Sequence, residues 1–292
     1  MLTLNRLLED DDFSLNDVVV FRHRPWEPEL NRVFDWIVAD RRDLFECYQS
    51  THPRNTESAL VRARYVASFV RYQPRKALFV GLYRINTQRH LTVIEAESRP
   101  FHQELMSLGM SGYKATEGRE IVIEFGMTIV DWHADWSQRL IIEWPGFERS
   151  WYRWANRNTF PLAAITEEPC LISAMPEWNE LLLDWNQLRF LPGSWQSALS
   201  HWRGVYLIID ASDGRQYVGS AYGRDNILQR WLGYAKTGHG GNKLLRTRDP
   251  NQFRFSILQR VSPDLPDSEV IALESSWKLR LRTRSPHGLN EN

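Results

Sequence analysis

The stretch GVYLIIDASDGRQYVGSAYG, residues 204–223, decides the fold of the C-terminal part of this chain. Two similar tripeptides, GVY at 204–206 and YVG at 217–219, lie on either side of an Asp-Gly turn signal at 213–214. Because glycine tolerates positive φ, Asp-Gly between two apolar runs is a strong signal for a β-hairpin. The pattern therefore predicts two antiparallel strands that each carry one tyrosine beside a glycine.

The residues that follow the hairpin alternate between helical and strand patterns. The stretch DNILQRWLGYA, 225–235, has the apolar spacing of a helix, whereas QFRFSILQ, 252–259, alternates like a strand. The stretch EVIALESSWKLRLRT, 269–283, again places apolar residues on one helical face. The order β-β-α-β-α predicts an α+β domain in which a small three-stranded antiparallel sheet is flanked by helices.

This order of elements, with several polar residues at matching positions, resembles the GIY-YIG endonuclease family. The resemblance covers residues 202–292, and the two tripeptides correspond to the two signature motifs. The positions that match site residues of the family, including its restriction-enzyme members, are Tyr206, Tyr217, Arg230, His239, Glu274 and Asn290. The tripeptides alone are weak evidence, but all six positions occur in the order of the family.

The resemblance implies hydrolysis of DNA phosphodiester bonds with Mg²⁺ (or Mn²⁺) as the cofactor. In that chemistry Tyr206 deprotonates or positions the attacking water, and Tyr217 holds the phosphate or that water. Arg230 neutralises the developing negative charge, and Glu274 is the metal ligand beside the leaving 3′ oxygen. One carboxylate suffices because Mg²⁺ keeps most of its waters. A phenol has a pKa of about 10, so Tyr206 acts as a base only if nearby cations lower that value or a metal hydroxide assists.

The remaining matched positions have supporting roles in the same chemistry. The resemblance implies that His239 contacts phosphate or assists proton transfer and that Asn290 steadies the site. Arg224 competes with Arg230 for the role of catalytic arginine, because the insert before the helix is longer than in repair members of the family. We favour Arg230, since a residue in the middle of a helix is held rigidly.

A basic cluster follows the glycine-rich segment TGHGGNK, residues 237–243. Lys243, Arg246 and Arg248 are candidates for contacts with the DNA backbone, as is Arg224 earlier in the chain. The alternative is a solvated loop. Taken singly, each matched residue in the domain also has an ordinary interpretation as a packing or surface residue, and only the joint pattern favours a site.

The N-terminal part has its own predicted elements. Residues 34–48, 57–72 and 177–190 have helical spacing. Strand-like segments follow at 76–85, 91–97, 119–130 and 139–144, which predicts a mixed α/β or β-barrel-like domain. The region faintly resembles PUA-like domains of the EVE and SRA types, which implies reading of a modified base that is flipped out of the duplex. The aromatic residues considered as walls of such a pocket are Trp132, Trp136, Trp144 and Tyr83, and core packing is the alternative for each.

Composition and charge limit the class of protein. The 292 residues have no net charge, but residues 195–292 contain 14 Lys and Arg against nine Asp and Glu, a net charge of +5. A positive excess suits a polyanionic ligand. The two cysteines are far apart and form no CxxC motif, which argues against a disulfide framework or a zinc site and favours a cytoplasmic location. The sequence has no run of 18 apolar residues, so we expect no membrane partner.

The sequence therefore predicts two domains and one principal activity. Residues 1–190 form a DNA-recognition domain, 191–201 a linker and 202–292 the nuclease domain. The predicted activity is Mg²⁺-dependent cleavage of double-stranded DNA in restriction or phage defence, with a dependence on base modification if residues 1–190 read one. The alternatives are a structure-specific repair nuclease and a DNA-binding protein with an inactive nuclease fold. Cutting both strands of a duplex needs either two active sites or one active site that acts twice. This requirement favours a homodimer.

Overall fold

The computed structural model of the chain describes residues 1–113, 118–146, 150–172, 174–224 and 226–291. The chain divides into two compact units, Met1–Ser173 and Ala174–Asn292. The predicted linker 191–201 is wrong: it lies inside the second unit, where Gly193–His201 forms a helix. The Pro-Gly pair at 192–193 marks the start of this helix rather than a break between domains, since proline's fixed φ suits a helix N-terminus.

The N-terminal unit is built on a mixed sheet. Its strands are β1 (Val18–His23), β2 (Tyr65–Arg71), β3 (Lys76–Thr92), β4 (Ile121–Val130), β5 (Leu140–Glu143), β6 (Tyr152–Trp154) and β7 (Leu162–Ile165). Among the described residues, the strand order is β6-β1-β2-β3-β5-β7, and β4 pairs with β3. Strands β1 and β2 are parallel, whereas the other neighbouring strands are antiparallel. The sheet is thus mixed, as the sequence predicts.

Both faces of this sheet are covered. Its helices are α1 (Leu4–Asp10), α2 (Pro28–Asp40), α3 (Arg42–Ser50), α4 (Arg54–Leu60), α5 (Val93–Glu97) and α6 (Pro100–Ser107). Side chains alternate along a strand, so Val19 and Phe21 of β1 join the core beneath α2 and α3. Val18 and Val20 join the opposite core, which contains Leu4 of α1. Every residue of β1 is buried as a result.

Two local predictions for this unit are wrong. Residues 57–72 do not form one helix, because α4 ends at Leu60 and β2 begins at Tyr65. Since β2 is buried on both faces, its apolar run lacks the alternation that separates a strand from a helix. The predicted strand 91–97 is helical from Val93 onwards, where the side chains of Thr92 and Glu95 form a capping box.

The C-terminal unit contains a second sheet and four described helices. Its strands are β8 (Leu182–Asp184), β9 (Arg203–Asp210), β10 (Gln216–Ala221) and β11 (Phe253–Val261). Its helices are α7 (Trp185–Arg189), α8 (Gly193–His201), α9 (Asn226–Thr237) and α10 (Asp267–Arg280). From β9 to α10 the order is the predicted β-β-α-β-α.

The sheet of this unit has one strand more than predicted. Within the described part of the chain it is four-stranded, in the order β10-β9-β11-β8, and its neighbours are antiparallel. The added strand β8 lies within residues 177–190, which have helical spacing in the sequence. Only α7 is helical there, and a capping box between Asp184 and Gln187 fixes where that helix begins.

Helices cover both faces of the second sheet. Tyr206 and Ile208 of β9 pack in the core that contains Ile227 and Trp231 of α9. Val205, Leu207 and Val218 pack on the other face, against a cluster formed by Leu273, Trp277 and Leu281 on and just after α10. The hairpin is therefore held between α9 and α10.

Within the residues that the structure describes, no helix has both the length and the apolar character required to cross a membrane.

A buried histidine makes the stability of the N-terminal unit depend on pH. His52 is 3% exposed, and burial lowers its pKa to about 4, assisted by the charge of Arg119 and opposed by a hydrogen bond to the Gln49 carbonyl. His23 is also buried, and burial together with His52 lowers its pKa. Both rings are therefore neutral in the folded protein at neutral pH.

We expect the free energy of unfolding to fall as the pH falls from about 6.5 towards 4, because only the unfolded state then binds a proton at His52. Between pH 7.5 and 5 the loss from His52 should be about 2 kcal/mol. Urea unfolding of the full chain at the two pH values measures it. His52→Gln should reduce the difference, whereas His90→Gln, at an exposed position of β3, should not. An equal pH effect in wild type and His52→Gln would contradict this assignment.

Candidate active site

The hairpin places its two tyrosines on one face of the sheet. Tyr206 lies opposite Gly219, and Tyr217 lies opposite Ile208, so both side chains point in the same direction. The ring centroids are 6.5 Å apart, with an angle of 43° between the rings. Tyr206 is 2% exposed, whereas Tyr217 is half-buried. The two phenols therefore lie side by side on one face of the hairpin.

Gly219 is required because the ring of Tyr206 crosses its Cα. A Cβ at position 219 would lie 2.5 Å from Cζ of Tyr206, which is closer than unbonded carbon atoms approach. Position 204 requires glycine for a different reason. Its φ is +150°, and its backbone lies so close to strand β11 that a Cβ would collide with the Gln259 carbonyl. The glycines of the two tripeptides thus allow one ring to lie flat on the sheet and two strands to approach closely.

A third tyrosine, Tyr234 on α9, completes the group and was missed by the sequence analysis. Its hydroxyl shares a hydrogen bond of 3.2 Å with the Tyr206 hydroxyl and accepts one of 2.8 Å from Nδ2 of Asn242. An amide nitrogen only donates, so the proton of Tyr234 is free to be donated to Tyr206. The sequence could have identified Tyr234 through its spacing of four residues from Arg230, which places both residues on one side of the helix.

The surroundings of Tyr206 keep its phenol protonated. Burial raises the pKa of Tyr206 strongly, and the neighbouring Tyr217 and Glu274 raise it further. The hydrogen bond from Tyr234 and the positive charge of Arg230 lower it, but they do not offset burial. At neutral pH Tyr206 is therefore a neutral group that can orient a water or phosphate. The condition that nearby cations lower its pKa is not met.

Glu274 lies on α10 and reaches the hairpin through Ser220. Oγ of Ser220 donates to Oε2 of Glu274, and Nζ of Lys278 lies 2.7 Å from Oε1. The described residues contain no group of three or more His, Cys, Asp or Glu that could form an all-protein metal cage. A half-buried carboxylate nevertheless fits Mg²⁺, because this ion commonly takes one or two carboxylates and completes its shell with water and phosphate oxygens.

The two candidate arginines have different surroundings. Arg230 is exposed on α9 and lies near enough to Tyr206 for its charge to lower the pKa of that phenol. Arg224 is an exposed residue before the helix begins. The charge of Arg230 therefore acts on Tyr206, and the choice of Arg230 over Arg224 as the catalytic arginine stays a prediction of the sequence.

His239 lies in the loop after α9. Its Nδ1 accepts a hydrogen bond of 2.9 Å from the backbone N–H of Gly241, so the neutral ring carries its proton on Nε2. The loop packs against the site, because a Cβ at Gly240 would lie 2.6 Å from the ring of Tyr234. In this tautomer His239 can donate a hydrogen bond from Nε2.

Asn290 holds the second signature strand rather than a reacting group. Its Oδ1 accepts from the backbone N–H of Val218 at 2.9 Å, and its Nδ2 donates to the Val218 carbonyl at 2.8 Å. The side chain is 3% exposed. The amide therefore satisfies both backbone groups of the residue between Tyr217 and Gly219 and fixes the position of β10.

The predicted basic cluster divides into two kinds of residue. Lys243 and Arg246 are exposed, and Lys243 is 3.3 Å from Glu291. Arg248 is largely buried and pairs with Asp210 at 2.6 Å and Asp213 at 2.9 Å. The guanidinium of Arg248 therefore neutralises two carboxylates at the tip of the hairpin, and contact of this cluster with DNA stays a prediction of the sequence.

The aromatic residues considered as walls of a base pocket in the N-terminal unit lie mainly in its cores. Tyr83, Trp132 and Trp144 are between 0% and 6% exposed, and Trp136 stacks on His133 with 3.8 Å between ring centroids. Core packing is therefore the correct interpretation for the first three.

An open groove of about 460 Å³ lies elsewhere on the N-terminal unit, beside β2 and β3. Its lining is Ala63, Arg64, Tyr65, Arg84, Ile85, Asn86, Thr87 and Gln88. This set contains two arginines and no acidic residue. The Arg84 guanidinium lies 5.6 Å from the centre of the Tyr65 ring and donates to its hydroxyl at 3.2 Å, and Arg64 lies 3.5 Å from Asp17.

Comparison with known proteins adds limited information. The chain matches no protein-family profile and no curated protein sequence. Among solved structures, it is similar to the catalytic domain of the homing endonuclease I-TevI, with 24% sequence identity and a TM-score of 0.26. The similarity covers 31% of this chain and 98% of that domain. The functional argument below therefore rests on the residues of the site and their spacing.

Replacing Asn290 tests how the second signature strand is held. Asn290→Ala should lower the free energy of unfolding by about 3 kcal/mol, since two buried backbone groups of Val218 lose their partners. Asn251→Ala is a matched control, because that amide is exposed and bonds only within its own turn, to Asp249. Urea unfolding of both variants measures the difference. Equal losses in the two variants would exclude the proposed role of Asn290.

Proposed function

We propose that the C-terminal unit is a Mg²⁺-dependent endonuclease that hydrolyses phosphodiester bonds in double-stranded DNA, as the signature resemblance implies. The observation that carries the proposal is the pair of signature phenols side by side on one face of the hairpin, with Arg230 on the helix that covers that face. Glu274 is held by Ser220 on the opposite face of β10, and the charges of Arg230 and Glu274 both act on the Tyr206 phenol. A phosphate needs this set of groups, namely donors for its oxygens, a cation and a metal ligand.

Each residue has a role that follows from its surroundings. Neutral Tyr206, fixed by the hydrogen bond from Tyr234, orients the attacking water. Tyr217, the more exposed of the two signature phenols, donates to a phosphate oxygen. Arg230 neutralises the charge that develops on the phosphate in the transition state. His239, with its proton on Nε2, donates a hydrogen bond to a phosphate oxygen.

Glu274 is the proposed metal ligand. A divalent ion bound there would supply Lewis-acid stabilisation of the leaving 3′ oxygen. Ser220 holds the carboxylate by donating to Oε2, so the orientation of Glu274 is set from strand β10. Because β10 also carries Tyr217, the phosphate donor and the metal ligand are positioned by the same strand.

Replacing Glu274 tests the proposed function. Glu274→Ala should reduce cleavage of plasmid DNA in Mg²⁺ by at least about a thousandfold, because the metal ligand is lost. DNA affinity, measured by fluorescence anisotropy, should change little, since most binding energy comes from backbone contacts elsewhere. Glu269→Ala, in the first turn of the same helix, is the control. Equal cleavage by wild type and Glu274→Ala would refute the assignment. Absence of cleavage in both, with DNA binding retained, would favour the alternative of an inactive nuclease fold.

We further propose that the N-terminal unit binds the DNA and directs the nuclease, in restriction or phage defence. The groove beside β2 and β3 supports this, because guanidinium, phenol and amide groups line it without an acidic residue. Stacking on Tyr65 orients the Arg84 guanidinium, which suits a bidentate contact with phosphate. Modification-dependent recognition and homodimer formation stay predictions of the sequence.

Arg84→Ala should weaken DNA binding by the full chain at least about threefold and reduce its salt dependence, because one phosphate contact is lost. Arg89→Ala is the control, because Arg89 lies on the same strand but outside the groove, and it should have a smaller effect. Equal DNA affinity of Arg84→Ala and wild type would refute the groove as a DNA contact.

Cleavage of phage DNAs with unmodified, methylated, hydroxymethylated or glucosylated cytosine tests whether the enzyme selects modified DNA. Cleavage restricted to one modification would show modification-dependent recognition, and equal cleavage of all four would exclude it.

A further inference from the structure

A lysine occupies one side of the carboxylate that we propose as the metal ligand. Lys278 follows Glu274 by one helical turn, and its Nζ lies 2.7 Å from Oε1 of Glu274. Ser220 donates to the other oxygen, Oε2. Both oxygens of Glu274 are therefore already engaged by groups of this chain, and one of these groups carries a full positive charge.

This ion pair differs from an ordinary surface pair on a helix. The side chains of Lys278 and Glu274 are 16% and 17% exposed. Arg6 and Asp10 form a pair with the same spacing, but their side chains are 70% and 55% exposed. Solvent screens an exposed pair almost completely, whereas a largely buried pair retains more of its attraction. The contact with Lys278 is therefore screened by solvent less than the contact between Arg6 and Asp10.

We infer that the Lys278 ammonium is a tethered competitor of the divalent ion at Glu274. This inference rests on the proposed function, because it takes Glu274 to be the metal ligand. An ammonium is a compact charge on a flexible four-carbon stem, so it can occupy a cation position and also leave it. The divalent ion binds to Oε1 only after the ammonium has moved away, while Ser220 keeps Oε2 in place.

The consequence is a low intrinsic affinity of the DNA-free protein for metal. Each divalent ion that binds at Glu274 must first break the ion pair with Lys278, and the cost of breaking it subtracts from the metal affinity. Removing the positive charge should therefore tighten metal binding. A lysine that only stabilises the helix would have no such effect on metal affinity.

The test is direct titration of the full chain with Mn²⁺, in which electron paramagnetic resonance measures the free ion. Lys278→Met removes the charge but keeps an unbranched side chain. Arg280→Gln removes one charge from the same helix turn, where Arg280 stacks on Trp277 rather than contacting Glu274. Glu274→Gln defines the binding that belongs to other sites. Thermal unfolding checks that each variant is folded.

We expect Lys278→Met to bind Mn²⁺ about tenfold more tightly than wild type, and Arg280→Gln to stay within about twofold of it. Unchanged or weaker Mn²⁺ binding by Lys278→Met would overturn the inference, and Mg²⁺-dependent cleavage by wild type would still support the nuclease. Binding that is equal in all four proteins, including Glu274→Gln, would overturn both the inference and the metal site at Glu274.

Discussion

The candidate site depends on one steric constraint, the passage of the Tyr206 ring over a strand position that has no side chain. Gly219 lies directly opposite Tyr206 in the hairpin, and any Cβ there would overlap the ring. Because the ring lies flat, its hydroxyl meets Tyr234 on the helix that covers this face. The rest of the site is arranged around this phenol, with Tyr217 on the neighbouring strand and Arg230 on the same helix as Tyr234.

The second constraint is electrostatic and comes from burial. A phenol that is 2% exposed loses most of its solvation as an anion, and the nearby carboxylate of Glu274 disfavours that anion further. Arg230 and the hydrogen bond from Tyr234 lower the pKa of Tyr206, but they do not offset the effect of burial. The arrangement therefore favours a neutral Tyr206 that orients other groups. In the proposed mechanism, charge stabilisation comes from Arg230 and from a cation at Glu274, where Lys278 is the cation that the chain itself provides.

The sequence predicted the hairpin and its tyrosines correctly because the turn signal and the alternation of apolar residues are local. The predictions for residues 57–72 and for β8, 182–184, were wrong. A strand buried on both faces and a short apolar run both lack the alternation of apolar and polar residues that identifies a strand. The sequence analysis missed Tyr234, since only distances to other chain segments show its partners. Arg248 looked like a free cation because its acidic partners lie more than 30 residues earlier. The choice between Arg230 and Arg224 as the catalytic arginine stays a prediction, because it depends on contacts with DNA.

The most direct test of the account is the single-turnover rate of cleavage of a duplex DNA in Mg²⁺ by wild type and by Tyr206→Phe. The substitution removes one hydroxyl and keeps the ring that packs on Gly219, so folding and DNA affinity should be retained. The account predicts that the rate falls by at least about a hundredfold, within the range that positioned catalytic groups contribute. An unchanged rate in Tyr206→Phe, with wild type active, would show that the phenol has no part in the chemistry and would contradict the central claim.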